Sequence, residues 1–264
     1  MPLIHHVVSG AGTPPLVFIH GFSCDYTDWK PQVDAFAGRH KTVAVDLRGH
    51  GKSAAKGYEC SIEALASDVA VLMRHLDLGP SVLIGHSMGC RIAIEVGMQV
   101  PTRTAGLILV DGSQFSAATE ALVRQRIEAG ELDAMLKGMF SAMFNERSDK
   151  AVADAIVARA LKLPKDVAAA MSLDTVRYDT TRLEHALSTL KKPLMVVQST
   201  YTNERRERLP LAKGQTVPYL DVVRARMPGA RIEIIPGIGH FTQIDAPAET
   251  NALIASFIAG LPKS

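Results

Sequence analysis

Ser87 lies at the centre of residues 85–89, which read Gly-His-Ser-Met-Gly in this chain of 264 residues. An apolar run precedes this segment at residues 82–84, and a helical pattern follows it at residues 90–96. A strand, a sharp turn that carries serine between glycines, and a helix form the layout of a nucleophile elbow. Glycines suit this turn because side chains there would collide with the neighbouring strand and helix. We therefore predict that Ser87 is a nucleophile.

A serine hydroxyl needs a base that takes its proton and donors that stabilise the resulting oxyanion. In elbow enzymes of this type the serine, the acid and the histidine follow one another along the chain. His240 comes directly after the apolar run 232–235, at the C-terminal end of a strand, and so on the same sheet edge as the elbow. We predict that His240 is the base. The backbone N–H groups of Phe22 and Met88 are the predicted oxyanion donors.

The elements that must position these groups follow from the hydrophobic pattern. Six short apolar runs occur, at residues 16–19, 42–45, 82–84, 107–110, 194–197 and 232–235. Continuous apolar strands are typical of a parallel sheet that helices cover on both faces. Because the runs alternate with helical patterns, the sequence predicts an α/β fold with a doubly wound, mostly parallel sheet.

One region interrupts this alternation. Four helical stretches follow one another without a convincing strand, at residues 117–128, 132–145, 150–161 and 165–178. We predict an all-helical cap at residues 114–190, inserted after the strand that ends near Val110, with a core of residues 1–113 and 191–264. Two interpretations of the cap's large apolar residues stay open: internal packing of the cap, or the lining of an apolar pocket over Ser87. These residues are Met135, Met139, Phe140, Met143, Phe144 and Met171.

Composition limits the function. The formal net charge of +2 implies neither nucleic acid nor an anionic membrane as a partner, and no apolar run reaches the roughly 18 residues that span a bilayer. Three scattered cysteines and an N-terminus without a secretory pattern predict a reducing, cytoplasmic location. No metal-ligand spacing or phosphate loop is found. We expect a small-molecule substrate and no cofactor, while the oligomeric state is left open.

The chain resembles α/β-hydrolase fold enzymes over essentially its whole length, in the group with a short His-Gly-aromatic oxyanion motif and a helical cap. The resemblance rests on residues 20–22, 46–53, 85–89 and 239–240. It implies a cofactor-independent carboxylesterase that works through an acyl-enzyme on a small to medium apolar ester. Haloalkane dehalogenases and epoxide hydrolases of this fold carry aspartate at the elbow, so Ser87 argues against both chemistries. Lactonase, C–C bond hydrolase, perhydrolase and non-catalytic small-molecule-binding protein remain alternatives.

The acid that should orient His240 is where the chain departs from the family pattern. The family usually places it after the strand that precedes the histidine strand, here 194–197, and no aspartate follows at the expected distance. Glu204 is available in that loop. The family's other placement is directly after the strand at 107–110, where Asp111 stands. The sequence therefore favours Asp111 and keeps Glu204, or a dyad without an acid, as alternatives.

Two further features have competing interpretations. Arg205, Arg206 and Arg208 are interpreted as a solvated loop, with recognition of a substrate carboxylate as the alternative. Trp29, the only tryptophan of the chain, either walls the pocket or anchors the helix that follows it.

Overall fold

The computed structural model describes residues 3–56, 59–203 and 207–262. These residues form nine strands and eleven α-helices. The strands are β1 His6–Ser9, β2 Leu16–Ile19, β3 Thr42–Val45, β4 Ser81–His86, β5 Thr104–Val110, β6 Leu194–Gln198, β7 Thr200–Thr202, β8 Arg208–Pro210 and β9 Arg231–Ile234. The helices are α1 Lys30–Phe36, α2 Ile62–His75, α3 Met88–Gln99, α4 Ala117–Glu128, α5 Leu132–Ser141, α6 Lys150–Ala160, α7 Lys165–Thr181, α8 Leu183–Thr189, α9 Pro218–Arg226, α10 Thr242–Asp245 and α11 Pro247–Ala259.

Seven of the strands form one sheet in the order β1-β3-β2-β4-β5-β6-β9. β1 pairs antiparallel with β3, and every other pair in this sheet is parallel. The predicted α/β fold with a mostly parallel sheet is confirmed. Five of the six predicted runs lie within its strands, and the sixth, 232–235, extends one residue beyond the end of β9 at Ile234. The sequence missed β1, because a half-exposed edge strand lacks a continuous apolar run. It also missed the short hairpin that β7 and β8 form.

The core lies on both faces of the sheet, as the apolar strands require. Alternate residues of β2 serve opposite faces: Val17 and Ile19 pack with α2 and α3, whereas Leu16 and Phe18 pack with α1 and α11. All four side chains are fully buried, and each such burial contributes about 1.5–3 kcal/mol to folding. This packing holds the C-terminal ends of β2, β4 and β5 side by side at one sheet edge.

Between β5 and β6 the chain forms five helices, α4 to α8. Two of the four helical stretches end earlier than the sequence predicted, at Ser141 and Ala160, and the fourth extends to Thr181. The sequence missed α8, which begins immediately beyond a break in helical geometry at Arg182, where φ is −134°. Within the described part of the chain, no helix is both long enough and apolar enough to cross a membrane.

Candidate active site

The elbow between β4 and α3 holds Ser87 in a conformation that residues with side chains rarely adopt, with φ 55° and ψ −116°. Such a residue stores about 1–3 kcal/mol of strain, and persists only where its surroundings enforce it. Two glycines permit the close packing that surrounds it here. A Cβ atom at Gly85 would collide with the backbone of Gly89, and one at Gly89 would lie 2.6 Å from the carbonyl oxygen of His20. Ser87 itself stays partly exposed.

The segment after β2 lies directly against the elbow, since a Cβ atom at Gly21 would be only 3.0 Å from that of Ser87. The buried His20 ring accepts a hydrogen bond at Nε2 from the Leu47 N–H (3.0 Å). Its Nδ1–H therefore donates to the Gly21 carbonyl oxygen (2.7 Å). Because the C=O and N–H of a trans peptide point in opposite directions, the Phe22 N–H points away from this ring. The sequence indicates no role for the His20 side chain, yet its ring orients the peptide that carries the predicted donor.

The second predicted donor lies at the start of a helix. α3 begins at Met88, and the first four N–H groups of a helix have no acceptor within it. The aligned peptide dipoles add a partial positive charge at the same end. The Met88 N–H therefore has the electrostatic setting that an oxyanion donor requires.

His240 and Asp111 meet at the same edge of the sheet. The Nδ1 atom of His240 lies 2.6 Å from the Oδ2 atom of Asp111, and both side chains are buried. The ring's other nitrogen, Nε2, is buried and has no hydrogen-bond partner among the described residues. A proton on Nδ1 that donates to the carboxylate leaves a lone pair on Nε2. The ring can therefore accept a proton there.

Asp111 is surrounded by donors. Its Oδ1 accepts the backbone N–H groups of Ser199 (2.7 Å) and Thr200 (2.8 Å), and its Oδ2 accepts the Thr200 hydroxyl (2.5 Å) as well as His240. Burial raises the pKa of the Asp111 carboxyl, whereas these donors and the nearby Arg208 oppose that rise. Only an ionised carboxylate, which is acceptor-only, satisfies four donors at once.

Arg208 completes this arrangement, and the expectation of a solvated loop is wrong for it. Its side chain comes from β8 and is only 13% exposed. Nη1 lies 2.9 Å from the Thr200 Oγ1, 3.1 Å from the His240 Nδ1 and 3.9 Å from the Asp111 Oδ2. No sequence pattern indicated this burial, because it arises only when the hairpin folds back on β6. Arg205, Arg206 and Glu204, the alternative acid, lie outside the described residues.

An apolar cluster from α5 and α6 packs beside the oxyanion segment. The ring of Phe22 lies 6.3 Å from that of Phe140, and Met139 and Met143 belong to the same cluster. The carbonyl oxygen of Met143 also accepts the backbone N–H of His240 (2.7 Å). The helices between β5 and β6 thus contact both the predicted oxyanion donor and the loop that carries the base. This backbone contact had no signal in the sequence.

Two other residues lie away from the site. Trp29 is fully buried against Phe18 in the core, with ring centroids 5.2 Å apart, so it anchors the segment before α1 and does not wall a pocket. Met171 packs into the main core cluster. No group of three or more His, Cys, Asp or Glu in the described ranges is placed to hold a metal ion.

Residues 16–253 match the sequence pattern of the alpha/beta hydrolase family. The match spans most of the chain, so the protein belongs to this family. A thermophilic esterase from Thermogutta terrifontis has a similar structure, with a TM-score of 0.79 at 25% identity. That similarity covers 97% of this chain and 93% of the esterase chain.

Two curated proteins illustrate how varied the relatives are. The 2-(acetamidomethylene)succinate hydrolase of Mesorhizobium japonicum is 29% identical over 263 residues, which cover 94% of this chain and 89% of that protein. The dihydrolipoyllysine-residue acetyltransferase component of the acetoin cleaving system of Pseudomonas putida is 26% identical over 251 residues. That match covers 95% of this chain but only 65% of the relative, so the chain spans less than two thirds of that protein's length.

Proposed function

We propose that the protein is a cofactor-independent serine hydrolase that cleaves a carboxylic ester of small to medium size through an acyl-enzyme. One observation carries the proposal: the strained, partly exposed Ser87 shares a sheet edge with the buried Asp111–His240 pair. A positive-φ serine between obligatory glycines is a costly local structure, and such strain concentrates at functional sites. The esterase from Thermogutta terrifontis supports the same reaction class.

In the proposed reaction, Asp111 holds the Nδ1 proton of His240, and the Nε2 lone pair takes the hydroxyl proton of Ser87. The serine oxygen attacks the ester carbonyl, and the N–H groups of Phe22 and Met88 stabilise the tetrahedral oxyanion. When the intermediate collapses, the C–O bond to the alcohol breaks and His240 returns its proton to the leaving oxygen.

The second half of the proposed cycle repeats these roles with water. His240 deprotonates a water molecule, the hydroxide attacks the acyl carbonyl, and the bond to the Ser87 oxygen breaks. The proton returns from His240 to the serine, and the carboxylic acid leaves. No step requires a cofactor or a metal ion.

The apolar cluster beside the oxyanion segment favours an apolar acyl or alkoxy group. Methionine side chains adapt to irregular apolar shapes, and Met139 and Met143 lie with Phe140 next to Phe22. We propose in addition that residues 114–190 act as a cap that supplies this wall. The three cysteines are free and buried, which supports the proposed cytoplasmic location.

A labelling experiment tests the nucleophile. Wild-type protein and Ser87→Ala are treated with a fluorophosphonate probe, with Ser81→Ala as a matched control from the opposite end of β4. Ser81 is buried and donates to the carbonyl oxygen of Gly79. We expect labelling of wild type and Ser81→Ala but not of Ser87→Ala. Failure to label the wild type would favour the non-catalytic, small-molecule-binding alternative.

A substrate panel then separates the chemistries that share this machinery. We expect p-nitrophenyl esters to be turned over, with butyrate or hexanoate preferred to acetate because of the apolar wall. Turnover confined to a lactone, or to the C–C bond of a β-diketone, would overturn the ester assignment and leave the nucleophile in place.

A further inference from the structure

We infer that Arg208 is a positioning residue for the Asp111–His240 pair: its guanidinium fixes the pair through Thr200 and sets the pH below which the free base is lost. The inference rests on the proposed function, because it assigns to Arg208 a role in the same site. It also accounts for an arginine in the loop where this family usually places the acid.

The hairpin of β7 and β8 explains how Arg208 reaches the pair. β7 begins two residues after the end of β6, and Thr202 pairs with Arg208 across the hairpin. The chain therefore doubles back toward the sheet edge where Asp111 follows β5. The arginine side chain returns along β7 to Thr200, and little of it remains exposed.

The hydrogen bonds of this cluster have one consistent direction. The Asp111 carboxylate only accepts, so the Thr200 hydroxyl donates to it and its oxygen accepts from the Arg208 Nη1. The His240 Nδ1–H also donates to Asp111, so it cannot accept from Arg208, although the two nitrogens are 3.1 Å apart. Arg208 therefore acts on Asp111 through Thr200, and on His240 through its charge.

The position of Arg208 argues against the alternative of a substrate-binding arginine. It touches Nδ1 of the ring and the Asp111 carboxylate, both of which lie on the side away from Nε2. In the proposed reaction the substrate binds on the Nε2 side of the ring, where His240 takes the proton of Ser87. A carboxylate of the substrate could not reach Nη1 without displacing the Thr200 and Asp111 contacts.

Three charged groups act on the charge of His240 from the elements around it, and a fourth titratable group, His86, is neutral. Asp111 at the end of β5 favours the imidazolium, whereas Arg208 from the hairpin and Arg91 from α3 oppose it. His86 at the end of β4 has its ring centroid 4.7 Å away, and burial lowers its own pKa to about 3, so it stays neutral. Burial, Arg208 and Arg91 together hold the pKa of His240 well below 6.5.

Arg208 is the positive charge that contacts the ring directly, so its removal should make His240 easier to protonate. A neighbouring charge shifts a buried pKa by about 1–3 units. In Arg208→Met we expect the acidic limb of kcat/KM for p-nitrophenyl butyrate to move up by about 1–2 pH units. Arg208→Lys keeps the charge, and should keep the limb near its wild-type position. Arg226→Gln is the control, because it removes a charge from an exposed ion pair with Glu184.

A second readout does not depend on turnover. NMR titration of the His240 ring, assigned with His240→Gln, measures its protonation in the wild type and in Arg208→Met, and urea unfolding verifies that each variant is folded. If Arg208→Met does not fold, Arg208→Gln gives the same comparison. An unchanged limb and an unchanged ring titration in a folded neutral variant would overturn the role of Arg208. An inactive, unlabelled wild type whose ring titration still depends on Arg208 would instead overturn the proposed function alone.

Discussion

Replacement of Asp111 by asparagine tests the proposed triad most directly, because the change is nearly isosteric and reverses the hydrogen bonding at one atom. The side-chain oxygen of asparagine can still accept the N–H groups of Ser199 and Thr200. The amide nitrogen must then take the position of Oδ2, where it faces the His240 Nδ1 at 2.6 Å. Since an amide nitrogen only donates, the ring must move its proton to Nε2.

That tautomer has no lone pair on Nε2 with which to accept the proton of Ser87. An equivalent Asp→Asn change in a known serine protease lowers kcat by about 10⁴, and we expect a loss of about 10³–10⁴ in kcat/KM here. At 1.36 kcal/mol per factor of ten, this corresponds to about 4–5.5 kcal/mol of transition-state stabilisation. The lost negative charge beside Arg208 destabilises the fold by about 3 kcal/mol, which a domain stable by about 5–15 kcal/mol tolerates.

Asp46 supplies a matched control. Its buried carboxylate also contacts a histidine, His5, and accepts the backbone N–H groups of Tyr26 and Lys52. Asp46→Asn should lose comparable stability in urea unfolding but keep p-nitrophenyl butyrate turnover within about tenfold of wild type. Full turnover in a folded Asp111→Asn would refute the tautomer argument. If Glu204→Gln then lost several orders of magnitude, the acid would be Glu204.

Three other predictions concern the scaffold of the site. Gly89→Ala introduces a methyl group 2.6 Å from the His20 carbonyl oxygen. We expect urea unfolding to show a free energy of unfolding that is lower by about 3 kcal/mol. A decrease under about 0.5 kcal/mol would mean that the elbow has room for a side chain. Burial lowers the pKa of His50 from 6.5 to about 4, so the stability it contributes is present above pH 6.5 and is lost as the pH falls toward 4. Between pH 7 and pH 5 this loss is about 2 kcal/mol. The unfolding free energy of His50→Gln should therefore fall by about 2 kcal/mol less than that of the wild type over this interval, and an equal fall in both proteins would contradict the prediction. Phe140→Ala removes a side chain that is 1% exposed beside Phe22, and we expect it to lower the free energy of unfolding by about 3–5 kcal/mol. The KM should rise more for the butyrate ester than for the acetate ester, and an unchanged ester preference would exclude Phe140 from the wall.

The parallel strands were predictable because both faces of the sheet are covered, so each strand reads as a short apolar run. The elements that the sequence missed lack this property. β1 is half-exposed at the sheet edge, β7 and β8 are only three residues long, and α8 starts after a local break at Arg182. Each is fixed by its neighbours more than by its own pattern.

The candidate site divides in the same way. Ser87 and its glycines are recognisable from sequence because the collision that demands glycine is local, within the strand, the turn and the helix. The His20 ring and the Met143 carbonyl act through single contacts with the backbone of Gly21 and His240. Such contacts leave no periodic or compositional trace.

By itself, the sequence determined the α/β fold, the elbow and the position of His240 at the end of a strand, since these depend on backbone sterics and on apolar periodicity. Only the tertiary structure decided which carboxylate meets His240 and whether Arg208 is solvated or buried. Asp111 and His240 are 129 residues apart along the chain, and Arg208 joins them only once its hairpin has folded back. The physical reason is that the charge and solvation of a side chain depend on its neighbours in space, which local patterns do not specify.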